Sequence, residues 1–119
     1  MHNTENFKFK EFECKCGCGR NEISPVLMNK LQDVRTAFGK PMIINSGFRC
    51  VEHNKEIGGV LNSAHCEGLA VDIQCINPID RYKLLHLLMT FGFRRIGVYK
   101  TFIHADIRTS ENAVMWIGN

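Results

Sequence analysis

One charged residue inside an apolar segment constrains the fold of this chain more than any other feature. Asp72 lies within Leu69–Ile73, and the other residues of that segment are all apolar. A short apolar run of this kind is typical of a buried strand. A buried carboxylate is costly unless a cation or a hydrogen-bond donor meets it. The segment therefore predicts a central strand that carries a polar site.

Two histidines lie in segments that could meet this carboxylate. His65 comes from the loop just before the strand, and His104 lies in the alternating segment Phe102–Arg108. In a strand, alternation puts His104 and Asp106 on one face and the apolar residues on the other. Two imidazoles and one carboxylate, with a fourth position left for water, are the ligand set of a catalytic zinc site. We therefore predict that His65, Asp72 and His104 bind one Zn²⁺ ion.

The first helix has clear signals at both ends. Ser24 is a good N-cap, Pro25 suits the first helical position, and Gly39 follows the last apolar residue as a stop signal. Apolar residues recur between them at helical spacing, at Leu27, Leu31, Val34 and Phe38. We expect this helix to pack against the core.

The remaining elements predict an α+β fold. A second helix is expected from Asn77 to about Phe91, ended by Gly92. Strands are expected at Pro41–Asn45, Ala70–Cys75, Arg94–Tyr99, Phe102–Ile107 and Val114–Ile117, the third and fourth forming a hairpin. A central antiparallel sheet flanked by helices would bring the second strand next to the hairpin. That arrangement places Asp72 beside His104.

Length and composition are those of a soluble globular protein. The chain has 119 residues, 45% of them hydrophobic and 23% charged, so we expect one domain over residues 1–119 and a monomer. No apolar run approaches the roughly 20 residues that span a bilayer, so no membrane insertion is expected. The net charge is +3, and the basic residues are scattered along the chain rather than clustered. Nucleic acid is therefore not an expected partner. The polar amino terminus lacks a signal-peptide core, and we expect the chain to be cytoplasmic as synthesised.

Several motifs occur in a fixed order along the chain. They are Ser46-Gly47-Phe48-Arg49-Cys50, Glu52-His53-Asn54, Gly58-Gly59, Ser63-x-His65-x-x-Gly68-x-Ala70-x-Asp72-Ile73 and Phe102-Ile103-His104-x-Asp106. Together they resemble the zinc D-Ala-D-Ala metallopeptidases of the M15 type, in particular the small peptidoglycan peptidases of bacteria and phages. The Cys-rich amino-terminal segment, residues 1–22, looks like the start of the phage-associated members.

The resemblance implies a hedgehog and D-Ala-D-Ala peptidase-like fold and zinc-dependent hydrolysis of peptide bonds in peptidoglycan stem peptides. Two activities stay open, a D-Ala-D-Ala carboxypeptidase and a murein endopeptidase or endolysin, because the shape of the cleft decides between them. Such an enzyme would act on the cell wall after release. The alternative is a catalytically inactive zinc-binding module that binds the cell wall or another partner.

Asp106 is the candidate catalytic base, because it lies two residues from His104 on the same strand face. Related enzymes often carry a Glu a few residues before the last His ligand, whereas residues 100–103 contain no carboxylate. The opposite assignment, with Asp106 on the metal and His104 as the base, stays open.

Arg49, Ser46 and Ser63 are the candidate substrate-binding residues. A guanidinium can bind a carboxylate through two parallel hydrogen bonds, which suits a peptide that ends in free D-Ala or presents an acidic stem residue. The resemblance implies that Ser46 and Arg49 line the cleft. Arg49 could instead form a structural ion pair between loops, and Ser63 could cap the loop that holds His65.

The six cysteines do not predict a disulfide framework, because the chain has no secretion signal. Cys14, Cys16 and Cys18 alternate with other residues, so an extended stretch would place their sulfurs on one side. A second, structural metal there would need a fourth ligand. The alternative is a Gly-rich turn over half-buried thiols. Cys50, Cys66 and Cys75 are interpreted as small residues of the core or neighbours of the site.

Overall fold

Five strands form one sheet in the computed structural model, which describes residues 2–118. The strands are β1 (Ile44–Ser46), β2 (Ala70–Gln74), β3 (Arg95–Val98), β4 (Phe102–Asp106) and β5 (Val114–Ile117). They lie in the order β1-β2-β4-β3-β5. The strand β2 pairs antiparallel with β4 and puts Asp72 opposite His104. The predicted α+β class and the β3–β4 hairpin are therefore confirmed.

The sheet is mixed, whereas the sequence led us to expect a wholly antiparallel one. The last strand, β5, pairs parallel with β3, with Gly97 opposite Trp116. The reason lies in the order of the strands. Both edges of β4 are already paired, one with β2 and one with β3. The chain that leaves β4 therefore reaches the free edge of β3 and runs in the same direction as that strand.

Within residues 2–118, three α-helices accompany the sheet, and local signals explain two of them. They are α1 (Pro25–Phe38), α2 (Val51–Glu56) and α3 (Pro78–Thr90). The Ser24 side chain accepts a hydrogen bond from the Leu27 N–H at the start of α1, and Gly39 ends that helix with φ 79°. At the start of α3, the Asn77 side chain accepts from two backbone N–H groups. The first helix has the predicted ends, and the second predicted helix corresponds to α3.

Three short helical segments were not predicted. One is α2, and the other two are 3-10 helices at Phe9–Phe12 and Ala64–Glu67. The strand predicted at residues 41–45 is also shorter and shifted, since β1 begins at Ile44. Each of these segments has six residues or fewer, which is too short for apolar periodicity to identify.

The amino-terminal segment is part of the core. Phe7 and Phe12 are buried and pack edge to face, with ring centroids 5.7 Å apart. The Phe48 N–H donates a hydrogen bond to the Phe12 carbonyl oxygen at 2.8 Å. A Cβ added to Gly47 would lie 2.7 Å from the Phe12 Cα, so only a glycine fits there. The segment thus packs against the turn that follows β1.

No helix within residues 2–118 has the length and apolar character needed to cross a membrane.

Candidate functional site

Two neighbouring strands and a preceding 3-10 helix bring three side chains together. In the β2–β4 pair, Asp72 Oδ1 lies 3.1 Å from His104 Nδ1. His65 comes from the Ala64–Glu67 helix, and its Nε2 lies 3.2 Å from the same Asp72 oxygen. The three donor atoms all lie within 4.8 Å of one another. The predicted trio of His65, Asp72 and His104 is therefore assembled at one point.

Each imidazole is held so that one nitrogen faces Asp72. The other nitrogen of His65, Nδ1, lies 2.8 Å from the Gly47 carbonyl oxygen. A carbonyl oxygen can only accept, so Nδ1 carries a hydrogen. Nε2 therefore faces Asp72, as a donor when it is protonated and as a ligand through its lone pair when a metal lies between them. In His104, Nε2 lies 2.8 Å from Asp106 Oδ2, which leaves Nδ1 for the site. Ligating histidines in metal sites are oriented by this kind of contact to a carbonyl or carboxylate.

The charges of these groups depend on one another. Burial raises the pKa of Asp72, but hydrogen bonds from His104 and His65 outweigh it and hold that pKa well below its usual range. Burial lowers the pKa of His104, but its hydrogen bonds to Asp106 and Asp72 leave the pKa above its ordinary value. Asp72 thus stays ionised while it is 8% exposed. A buried anion faced by two nitrogens needs a proton or a metal cation between them, so the donor set fits a divalent metal.

Asp106 lies on the side of His104 that faces away from Asp72. It is 1% exposed, and its Oδ2 also lies 3.3 Å from Arg95 Nε. The Arg108 backbone N–H donates to Asp106 Oδ1 at 3.2 Å. Both carboxylate oxygens are therefore engaged. Among residues 2–118, the group of donor atoms around Asp72 does not include Asp106.

Arg49 and Ser46 lie beside this trio. Arg49 Nη2 is 3.2 Å from Ser46 Oγ and 3.8 Å from Asp72 Oδ2. Its Nη1 donates to Asn54 Oδ1 at 2.8 Å. Among the described residues, the buried Nε of Arg49 has no hydrogen-bond partner. Arg49 therefore combines a loop-bridging contact with a position next to the candidate metal ligands.

Ser63 has the position of a cap. Its Oγ accepts a hydrogen bond from the His65 N–H at 3.1 Å. The Ser63 side chain begins the short helix that carries His65, and the residue is 5% exposed. Ser63 thus makes the contact of a cap, and because it also lines the cleft beside the trio, its binding to substrate stays a prediction.

The trio opens into a cleft of about 650 Å³. The loop of residues 57–64 lines one side of it, and Tyr99, Phe102 and Trp116 supply aromatic surface. Trp116 Nε1 donates to the Tyr99 hydroxyl at 3.1 Å, and the Trp116 ring centroid lies 5.3 Å from that of His104. Gly97 makes room for this indole, because a Cβ there would lie 2.6 Å from it.

The sequence reasoning did not identify these aromatic residues or Arg95 as part of the site. The guanidinium of Arg95 lies over the Trp116 ring, 5.5 Å from its centroid. Trp116 is the single tryptophan of the chain, and this was the one sequence feature that could have pointed to it as a site residue. Trp116 reaches the cleft because β5 pairs parallel with β3. No local sequence pattern predicts that pairing.

Comparisons with known proteins identify a family and a curated relative. The family model described as Peptidase M15 matches residues 5–106. The zinc D-Ala-D-Ala carboxypeptidase of Streptomyces albus G is 49% identical over 49 residues, which are 40% of this chain and 19% of that protein. The similarity thus spans about a fifth of the length of that relative.

Proposed function

This chain belongs to the peptidase M15 family, and from that premise we propose that it is a zinc-dependent peptidase that hydrolyses peptide bonds in peptidoglycan stem peptides. The observation that carries the proposal is the convergence of one carboxylate oxygen and two imidazole nitrogens within 4.8 Å. The printed name of the relative, a zinc D-Ala-D-Ala carboxypeptidase, supports both the metal and the substrate class.

The residues that would hold the zinc ion are His65, Asp72 and His104. Zinc in a site with three protein ligands supplies a Lewis acid that activates water and polarises a carbonyl. The chain orients the ligands through contacts behind them. Gly47 holds His65 at 2.8 Å, and Asp106 holds His104 at 2.8 Å.

We interpret Asp106 mainly as the residue that positions His104. As a base, Asp106 would have to take a proton from the substrate side of the site. Its 1% exposure and its contacts with His104, Arg95 and the Arg108 N–H favour a fixed acceptor instead. The role of general base stays a prediction that a variant can test.

Arg49 is the proposed anchor for a substrate carboxylate. Its guanidinium lines the cleft, and its ion pair with Asp72 is long, at 3.8 Å. Nη1 and Nη2 each carry a second N–H beside the one given to Asn54 or Ser46, and these two could bind a peptide carboxylate through two hydrogen bonds. Ser46, hydrogen-bonded to Arg49, would fix the orientation of the guanidinium. Val60 and Leu61 in the facing loop are exposed and offer apolar contact to alanine methyl groups.

The proposal is tested with defined muropeptides. Zinc-loaded protein, a chelated sample and the Asp72→Asn variant are incubated with each muropeptide, and the products are identified by mass spectrometry. Loss of a single terminal alanine would establish a carboxypeptidase, and an internal cut would establish an endopeptidase. Both activities should vanish in the chelated sample and in the variant. If the zinc-loaded protein cleaves none of the muropeptides, the proposed substrate class is wrong.

One observation supports a second candidate function, a zinc-binding module without catalysis that binds the cell wall. Residues 100–103, just before His104, contain no carboxylate, and Asp106 is engaged in three contacts. A sedimentation assay with purified peptidoglycan distinguishes the two functions. Retention on the wall without any released peptide would favour the binding module.

A further inference from the structure

Four cysteine sulfurs converge at a second place in the molecule. Cys14, Cys16 and Cys18 come from the amino-terminal segment, and Cys50 comes from the start of α2. Their four Sγ atoms all lie within 4.8 Å of one another. Cys50 brings the fourth sulfur that a metal site at the three alternating cysteines would need. It lies 34 residues after Cys16, so the sequence spacing did not reveal it.

The distances between these sulfurs match a tetrahedral metal site. Zinc–sulfur bonds of about 2.3 Å place the sulfurs of a regular tetrahedron roughly 3.8 Å apart. Cys14 Sγ lies 3.4 Å from Cys16 Sγ, and Cys16 Sγ lies 3.7 Å from Cys50 Sγ. A disulfide would need about 2.05 Å, and all six cysteines are free thiols in the structure.

The backbone holds the cysteines in this arrangement. Gly17 and Gly19 have φ values of 84° and 77°, which let the chain turn between and after the exposed cysteines. The Cys14 N–H donates to the Arg20 carbonyl oxygen at 3.0 Å and closes the loop. This loop is thus formed by backbone contacts that do not require a metal.

Backbone N–H groups also point at the two buried sulfurs. The Cys50 N–H donates to Cys14 Sγ at 3.4 Å, and the His53 N–H donates to Cys50 Sγ at 3.4 Å. Such donors stabilise a thiolate more than a neutral thiol. Arg20 lies near enough to Cys18 and Cys50 to interact with their charges, and it adds positive charge beside a site that would be anionic with four thiolates, while also pairing with Glu22.

We propose that Cys14, Cys16, Cys18 and Cys50 bind a second zinc ion in a closed, structural four-thiolate site. All four positions are occupied by protein ligands, so the site has no place for substrate. Soft thiolate ligands select zinc over hard cations such as Mg²⁺. This site does not depend on the proposed peptidase activity.

The site would connect the amino-terminal segment to the candidate active site. Cys50 directly follows Arg49, whose N–H donates to the His65 carbonyl oxygen at 3.1 Å. A metal bound to Cys50 therefore holds the backbone next to both a candidate substrate-binding residue and a candidate metal ligand. Its three other ligands fix that backbone to residues 14–18.

The experiment measures metal content and cobalt spectra in matched variants. The variants are Cys16→Ser/Cys18→Ser, which changes two exposed residues, His104→Ala, which removes a ligand of the other site, and Cys66→Ser, a control outside the cluster. The full chain, purified under reducing conditions, is analysed for zinc by mass spectrometry. It is then loaded with Co²⁺, which gives an ultraviolet charge-transfer band only with thiolate ligands.

We expect about two zinc ions per chain in the unmodified protein and in Cys66→Ser, and about one in each of the other variants. The cobalt–thiolate band should persist in His104→Ala and vanish in Cys16→Ser/Cys18→Ser. The proposal is overturned if the double variant keeps the full zinc content, or if the unmodified protein shows no cobalt–thiolate band. A disulfide detected in the reduced, metal-loaded protein would also overturn it. Muropeptide cleavage is scored separately, so failure of one site does not hide the state of the other.

Discussion

Asp72 and Asp106 are buried carboxylates that contact opposite nitrogens of one imidazole. His104 Nδ1 faces Asp72 at 3.1 Å, and His104 Nε2 faces Asp106 at 2.8 Å. The two carboxylates differ in their other partners. Asp72 has a second imidazole, that of His65, and only a long ion pair with Arg49, whereas Asp106 has a closer guanidinium, that of Arg95, and a backbone N–H. The contacts of the two carboxylates therefore favour different roles, Asp72 as a candidate ligand and Asp106 as the support of a candidate ligand.

Replacing Asp106 with Asn should weaken metal binding rather than only stop turnover. The Asn oxygen can still accept from His104 Nε2 but lacks the charge that makes the imidazole a better ligand, so we expect zinc affinity to fall about 10- to 100-fold. Competition with a chelator of known affinity measures this. The control is Glu111→Gln in the same cleft, which should leave affinity unchanged. Unchanged affinity in Asp106→Asn together with lost peptide cleavage would identify Asp106 as the base.

Gly68 and Gly39 form a matched pair for testing the backbone that carries His65. Both have positive φ, at 72° and 79°, so Ala at either position costs about 1–2 kcal/mol of strain. A Cβ on Gly68 would also lie 2.0 Å from the Glu22 carbonyl oxygen, while nothing lies within 4 Å at Gly39. Urea unfolding should show Gly68→Ala to be the more destabilised by roughly 1–3 kcal/mol. Equal losses would contradict the close contact with Glu22.

At the scale of elements, each long helix depends on a side chain that caps it. Asn77 Oδ1 accepts from the Ile79 and Asp80 N–H groups at 2.8 Å and 3.1 Å. We expect Asn77→Ala to lower the free energy of unfolding by about 1 kcal/mol, because both donors lose their partner. Asn77→Asp keeps an acceptor and should cost much less. Thermal unfolding distinguishes them, and equal stability of the Ala variant and the unmodified protein would show that the cap contributes nothing.

Helices with capping residues or stop signals next to them in sequence were predicted correctly. Elements whose position depends on contacts with distant parts of the chain were not. The ends of α1 were predictable because Ser24, Pro25 and Gly39 act within one turn of the helix. The α2 helix was missed because it has six residues and begins at a cysteine, Cys50, which is not a typical N-cap. The parallel pairing of β5 with β3 follows from the occupied edges of β4. The sequence of β5 itself contains no signal that predicts this pairing.

The candidate site follows the same rule. The ligand trio was predictable because Asp72 in an apolar strand requires a partner, and strand alternation selects His104. The residues that surround the trio were not predictable in this way. The orientation of His65 depends on the Gly47 carbonyl, and the place of Trp116 in the cleft depends on β5 lying beside β3. Cys50 joins the other cysteines only after the amino-terminal segment packs against the turn after β1.

At the scale of the whole molecule, residues 7–14 act as a structural part of the domain. Phe7, Phe12 and Cys14 belong to the buried core, and the Phe12 backbone contacts Gly47 and Phe48. The candidate site thus has support on two sides, from the sheet below it and from the amino-terminal segment beside Gly47.

Truncating Phe12 tests this coupling. The side chain is 0% exposed, so Phe12→Ala should lower the free energy of unfolding by about 3–5 kcal/mol. Leu61→Ala is the control, since Leu61 is 90% exposed and should change stability by less than about 0.5 kcal/mol. Denaturant unfolding of the metal-free protein measures both. A similar small effect in the two variants would mean that residues 7–14 are not needed for the folded domain.

The position of Trp116 gives the protein an intrinsic fluorescence probe of the candidate site. Its indole is the single tryptophan of the chain and lies 5.3 Å from the His104 ring, measured between ring centroids. All tryptophan fluorescence therefore originates beside the candidate ligands. A quenching ion such as Cu²⁺ bound there would lower the fluorescence intensity. A peptide that enters the cleft would shift the wavelength of the emission maximum. Occupancy of the cleft can thus be followed in solution without attaching a dye.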